Sequence, residues 1–177
     1  DNISNKAQLL SRLTACQTTL TLNDTSVTKF ERNKLVNKIF GNSVKNTFRT
    51  YDINVFDDNN LIGCAASHNG YEKNFGCIHK REIFFDKKNN HLKGVDHIFK
   101  KKDGIPIRYV FRFHFTPGLT VVKTMGGNSA LIQVSKNKSL IFTVNNEMLK
   151  IDKSIFLGRQ KILDNACITI SGNLVNK

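Results

Sequence analysis

Apolar and polar positions alternate with a period of two along most of this chain, and the clearest run is IRYVFRFHF at 107–115. Successive strand side chains point to opposite faces of a sheet. One face therefore carries Ile107, Tyr109, Phe111, Phe113 and Phe115, and the other carries Arg108, Val110, Arg112 and His114. The first reads as a core face, since each fully buried Phe contributes roughly 1.5–3 kcal/mol of transfer free energy. The second is cationic: either a solvated outer face or the wall of an anion-binding groove. Further strands are predicted at TTLTLN (18–23), NLIGCAAS (60–67), GCIHKREIFFD (76–86), HLKGVDHIF (91–99), LTVVKT (119–124), SALIQV (129–134), SLIFTV (139–144), MLKIDKSIFL (148–157) and ACITIS (166–171). Turn signals such as MGGN, KNK, VNNE and SGN separate them. Short strands so spaced predict an antiparallel sandwich or barrel rather than an α/β fold. One helix is predicted over 28–40. Thr28 and Glu31 read as a capping box, Phe30, Leu35, Val36, Ile39 and Phe40 approximate one face, and Gly41 stands at the stop. QLLSRL (8–13) reads as a single turn of helix, and Pro106 and Pro117 flank the strongest strand, where a missing N–H is tolerated.

Composition narrows the class. The chain has 177 residues, 40% hydrophobic and 23% charged, which suits one soluble globular domain spanning 1–177. No apolar run approaches the roughly 20 residues of a membrane span, so no membrane insertion is expected, and no segment resembles a signal peptide. The sequence starts at Asp1 without an initiator Met, which reads as a processed product or a fragment. Lys and Arg number 27 against 14 Asp and Glu, a net charge of +13. Such a surface attracts polyanions: nucleic acid, anionic lipid or acidic polysaccharide. The run Lys100-Lys101-Lys102 precedes Asp103-Gly104, a turn dipeptide, and reads as a solvated loop. The four cysteines at 16, 64, 77 and 167 form no C-x-x-C pair, which argues against a zinc ribbon or thioredoxin-type site. They read as small buried hydrophobes, with a disulfide permitted but not implied.

The chemistry-bearing side chains concentrate in SHNGYEKNFGCIHKREIFFD (67–86). Over 77–85, Cys77, His79, Arg81, Ile83 and Phe85 share one face, and Ile78, Lys80, Glu82 and Phe84 the other. Both faces are mixed, so the core side stays open. His79 and Arg81 are neighbours, as are Arg112 and His114, and His68 and Tyr71 lie in the preceding connection. Zinc needs three or four convergent ligands, and no spacing here demands them. A Tyr and a His can supply acid–base chemistry, but no nucleophile elbow, carboxylate pair or phosphate-cradling glycine loop accompanies them. Nucleic-acid binding is disfavoured, because the sequence lacks RRM, OB-type or helix-turn-helix signals and its basic residues are not clustered with exposed aromatics.

Several segments in order resemble one family. SRLTACQTTLTLND is similar to the R-x-T-x-x-H-S-T-L-x-L-D stretch of heparinase II/III-like proteins, and SHNGYEKNFGCIHKREIFFD to their SHDGY-x-x-x-x-G-x-x-H-x-R-x-L-x-L. LKGVDHI resembles L-x-G-x-D, and IRYVFRFHFTPGL resembles A-x-R-F-H-L-H-P-x-V. SIFLG and ACITISG resemble the family's late S-x-Y-x-G and Q-I-V-L-S-G segments.

The resemblance implies a bacterial polysaccharide lyase built from an N-terminal α/α toroid and a large antiparallel β-sandwich. This chain would be the C-terminal sandwich part, a lyase-type supersandwich fragment, with the toroid as a partner. The implied chemistry is β-elimination on a uronic-acid polysaccharide. A Tyr or His base removes the C5 proton, cationic or polar groups stabilise the developing carboxylate charge, and an acid protonates the leaving oxygen. His68, Tyr71, His79, Arg81, Arg112 and His114 match family positions and are the substrate-binding candidates; no catalytic residue is assigned. Where the family has a zinc-ligating His, this sequence has Gln17, a poor zinc ligand, so no metal or other cofactor is expected. The family's second His of F-H-L-H-P is Thr116 here. By analogy the compartment is the bacterial periplasm, with the cytoplasm as the alternative. The chain alone is expected to be inactive on acidic polysaccharide. A non-catalytic carbohydrate-binding or structural sandwich remains open, and a basic nucleic-acid binder ranks below both.

Overall fold

A computed structural model describes residues 10–31, 33–41, 43–101, 105–158 and 162–174. Part of QLLSRL, the end of the lysine run and the Asp103-Gly104 turn lie outside them. The chain is all-β. Among the described residues there are eleven strands and two short α-helices, with a 3-10 turn at Thr14–Cys16. The strands are β1 (Leu20–Leu22), β2 (Thr50–Asp57), β3 (Leu61–Tyr71), β4 (Cys77–Asp86), β5 (His91–Lys100), β6 (Ile107–His114), β7 (Thr120–Lys123), β8 (Ser129–Ser135), β9 (Lys138–Thr143), β10 (Leu149–Leu157) and β11 (Ile162–Leu174). Three sheets result, ordered β1-β6-β11-β10, β2-β3-β4-β5 and β7-β8-β9, with antiparallel pairing throughout. Among the described residues no helix is long and apolar enough to cross a membrane.

The chain divides into two compact units. The first holds the residues through Ser26 and those from Pro106 onward, and the second holds Val27–Ile105.

The first unit is a two-layer sandwich. Its core is Ala130, Val144, Leu149, Ile168 and Ile170, with Phe111, Phe113, Phe115, Val121, Phe142 and Ile151 packed against it. The aromatic face predicted for β6 therefore turns to the core. Phe113 and Phe142 meet with ring centroids 5.0 Å apart across the two layers. Val110, on the opposite face, is also buried. Tyr109 Oη donates to Glu147 Oε1 at 2.6 Å. Gly172 lies opposite Tyr109 in the ladder, and a Cβ there would stand 2.5 Å from the Tyr109 hydroxyl; only glycine fits.

The second unit is a four-stranded meander. β4 and β5 join through a turn in which Asp86 Oδ1 accepts from Lys88 N and Asn89 N, and Asn90 takes a positive φ of 51°. That is the local side-chain-to-backbone bonding for which Asp and Asn are favoured in turns. β2 was not among the predicted strands. Its alternation is broken by a bulge between Tyr51 and Asn54, where Asp52 adopts φ 51°, so a strict period of two never runs long enough to stand out.

The predicted helix shrinks to α1 (Lys34–Phe40). Its N-cap is Asn33, whose Oδ1 accepts from Leu35 N at 2.9 Å, not Thr28. Residues 29–31 are held extended instead by a Phe30–Val44 bridge and by Glu31 N donating to Ser43 O. Glu31 spends its carboxylate on Asn33 N and Lys45. The tertiary pairing outweighs the capping box, and Leu35 and Ile39 end up exposed rather than on a core face. Gly41 does stop the helix, with φ 68°. The second helix, α2 (Glu72–Phe75), is one turn ending on Gly76 in the left-handed region. All four cysteines are free; Cys77 and Cys167 are buried, as small hydrophobes should be, but Cys16 and Cys64 are exposed.

Candidate functional site

Four of the six candidate residues meet in the second unit. The β3–β4 register sets His68 directly opposite His79, and the β4–β5 register sets Arg81 opposite Asp96. Directly opposed residues share a face, so His68, His79, Arg81 and Asp96 converge on one side of the meander. At this end of β4 that side is the interior: Tyr71, Cys77 and His79 are buried. A register shift between His68 and Tyr71 turns the chain into α2 and brings Gly70 N–H back onto the His68 ring.

The hydrogen bonds run in one direction. Gly70 N donates to His68 Nδ1 at 3.2 Å. That nitrogen being the acceptor, the ring proton sits on Nε2, which faces His79 Nδ1 at 3.1 Å. His79 accepts there and carries its own proton on Nε2, 2.6 Å from Asp96 Oδ1. Arg81 closes the far end: its Nε donates to Asp96 Oδ1 at 2.7 Å and its Nη2 to Oδ2 at 3.1 Å. Such a bidentate, charge-assisted pair is both strong and geometrically exacting. The result is a Gly70–His68–His79–Asp96–Arg81 relay with both tautomers fixed.

Electrostatics follow from burial and from the neighbours. Burial, then the adjacent His79 and Arg81, hold the His68 imidazole down to about 4. Burial works to raise the Asp96 carboxyl, but the bonds from His79 and Arg81 outweigh it and leave it below its ordinary range. His68 is thus a neutral ring at neutral pH. The Phe48 and Tyr71 rings pack on it, at 5.4 and 6.0 Å between centroids. Gly70 is required at the relay's head, because a Cβ would collide with Val27 and approach His68 Nδ1 to 3.1 Å.

The other two candidates lie in the first unit. Arg112 Nη1 donates to Thr21 Oγ1 at 2.6 Å, and its Nη2 lies 3.5 Å from Asp24. His114 Nε2 donates to the Ala15 carbonyl at 3.1 Å, which leaves Nδ1 to take the Ser154 hydroxyl at 3.1 Å. The cationic face of β6 is therefore partly roofed by the N-terminal segment. Gln17 Nε2 donates to Ser11 O at 2.8 Å.

The residue that sequence reasoning missed is Asp96. It stands in the family-like LKGVDHI segment and is one of only 14 acids in a basic chain. Its placement opposite Arg81, two strands over from His68, needed the hairpin register. Among the described residues no group of three or more His, Cys, Asp or Glu side chains is arranged to hold a metal ion. Both Nδ1 lone pairs of the relay accept hydrogen bonds, and Gln17 presents an amide rather than an imidazole.

Fold and site together define an antiparallel β domain of sandwich type carrying an internally paired imidazole relay. The family model for the heparinase II/III-like C-terminal domain matches residues 3–174, and the chain belongs to that family. No curated protein and no solved structure matches it.

Proposed function

We propose that this chain is the β-sandwich part of a polysaccharide lyase that acts by β-elimination on a uronic-acid-containing polysaccharide, and that alone it binds such a polymer without cleaving it. The observation that carries this reading is the family match over nearly the whole chain. The charge of +13 suits an anionic polymer. In the reaction a base takes the C5 proton, the C–H pair becomes the C4–C5 double bond, and the C4–O bond breaks to an oxygen that must be protonated. His68, Tyr71, His79, Arg81, Arg112 and His114 are the substrate-side residues of this proposal, and acidic polysaccharide and an α/α toroid are its partners.

The geometry favours binding over catalysis for the isolated chain. The relay spends both Nδ1 lone pairs internally, and the Arg81 and Arg112 cations already face Asp96 and Asp24. The described residues contain two short helices and no toroid; in this reading the base that meets the C5 proton would be positioned by that second domain. The same observations favour the second reading, a carbohydrate-binding or scaffold domain with no catalytic part. Binding to alginate, heparin and a neutral glucan at low and high salt tests the proposal, with ultraviolet absorbance reporting any new unsaturated uronate. Binding to the acidic polymers that weakens with salt is expected, since exposed charges are screened over about 10 Å at 0.1 M. Equal binding to the neutral glucan at low salt would remove the acidic-polymer reading. Product formation by the chain alone would overturn the need for a second domain.

A further inference from the structure

We propose that a cleft on the outer face of the β1-β6-β11-β10 sheet is a subsite for one sugar ring, gripped by its hydroxyls and its C–H face rather than by a carboxylate. The proposal rests on the polysaccharide reading above and deepens it. The cleft has a volume of about 390 Å³ and is lined by the N-terminal segment around Gln17, by His114 to Thr116 and by the facing ends of β10 and β11. Small-molecule sites span roughly 300–1,000 Å³. Strand pairing places Ser154 opposite Asn165 and Phe156 opposite Leu163, on the same face as His114 opposite Cys167.

Three observations point to the ligand's chemistry. First, no Asp, Glu, Lys or Arg is among the lining residues, so nothing there demands a charged group. Second, the lining pairs apolar surface with polar edges: the half-exposed Leu10 and Phe156 beside Gln17, Thr116 and Asn165. A sugar ring has the same division between its C–H face and its hydroxyl rim. Third, Asn165 Oδ1 is buried without a hydrogen-bond partner. The amide cannot be flipped to relieve it, because Nδ2 donates to the Phe115 carbonyl at 2.6 Å. An unsatisfied buried acceptor is costly and asks for a donor. A carboxylate or phosphate group brings only acceptors, whereas a sugar hydroxyl, on a neutral or a uronate ring alike, donates. His114, tied to Ala15 and Ser154, is a positioning residue here, fixing the N-terminal segment over the sheet.

The test is calorimetric titration of the full chain with cellotetraose and with mannuronate tetrasaccharide in 0.5 M NaCl, beside alginate polymer at low and high salt. Both tetrasaccharides should bind with similar affinity. Phe156→Ala, at an exposed position, should weaken both by at least about tenfold. Leu140→Ala, an exposed apolar residue on β9 outside the cleft lining, should change neither. Binding of the mannuronate alone, no binding of either in high salt, or indifference to Phe156→Ala would each overturn the subsite. If alginate binds at low salt while both tetrasaccharides fail, the subsite is wrong and the charge-driven reading stands. If the tetrasaccharides bind in high salt while alginate binding does not weaken between low and high salt, the subsite stands and the charge-driven reading is wrong.

Discussion

Acidification should destabilise the second unit through one imidazole. His68 titrates near 6.5 in the unfolded chain and near 4 in the folded one. Its folded pKa is depressed, so between those values the unfolded chain holds more protons, and stability falls as pH falls. The contribution is fully present above about 6.5, is lost progressively toward 4, and is flat below. From pH 7 to pH 5 the full shift corresponds to about 1.8 kcal/mol at about 1.36 kcal/mol per pKa unit. The ring is only half-buried, and solvent screening reduces this to about 1 kcal/mol. The cause is local: a second proton would have to go on Nδ1, which faces the Gly70 N–H, and would place a cation beside Arg81. Asp96 adds to acid sensitivity only lower, because its depressed pKa keeps it ionised until below the ordinary carboxylate range. Long-range nitrogen–proton correlation of the imidazoles reads both tautomer and titration. Urea unfolding of the wild type and of His68→Gln at each pH reads the energy. His68 should show the Nε2–H tautomer and stay neutral at pH 5, and the substitution should flatten the pH slope. An imidazole titrating near 6.5, an Nδ1–H tautomer, or an equally steep slope in His68→Gln would refute the relay as drawn.

Other outcomes are expected on the same footing. Asp96→Asn removes the negative charge that faces the Arg81 guanidinium and puts an N–H donor where Oδ2 accepts from Arg81 Nη2, and should cost about 2–3 kcal/mol; a thermal midpoint within a degree of wild type would contradict this. Leu149→Ala opens a cavity in the sandwich core at a fully buried site and should cost about 2–5 kcal/mol, read by chemical denaturation. Tyr109 is pushed up to about 12 by burial and by its bond to Glu147, so Glu147→Gln should bring the phenol back toward 10, measured by ultraviolet titration. Gly70→Ala should lose the His68 tautomer preference, because the added Cβ displaces the N–H that imposes it.

The fold class was written in the sequence because a sheet with one buried face imposes a period of two on its own strands. The aromatic face of β6 and the ten predicted strands needed nothing beyond that alternation and the turn residues between them. The family was legible too: segments resembling its motifs lie in order along the chain, and the family model matches residues 3–174. The helix start was not, because a capping box is a local preference worth little against the Phe30–Val44 pairing, and β2 was hidden by its bulge. The site was half legible. Histidines and arginines at alternate positions could be placed on common faces, yet whether those faces held free cations depended on partners far away in the chain. Asp96 reaches Arg81 and His79 only because the β4–β5 turn fixes the register. Thr21, Ala15 and Ser154 reach Arg112 and His114 across separations of 91, 99 and 40 residues. Alternation along a strand is dictated by backbone geometry and survives in the sequence, whereas the partner of a buried charge is set by registers and packing between strands, which only the tertiary structure decides.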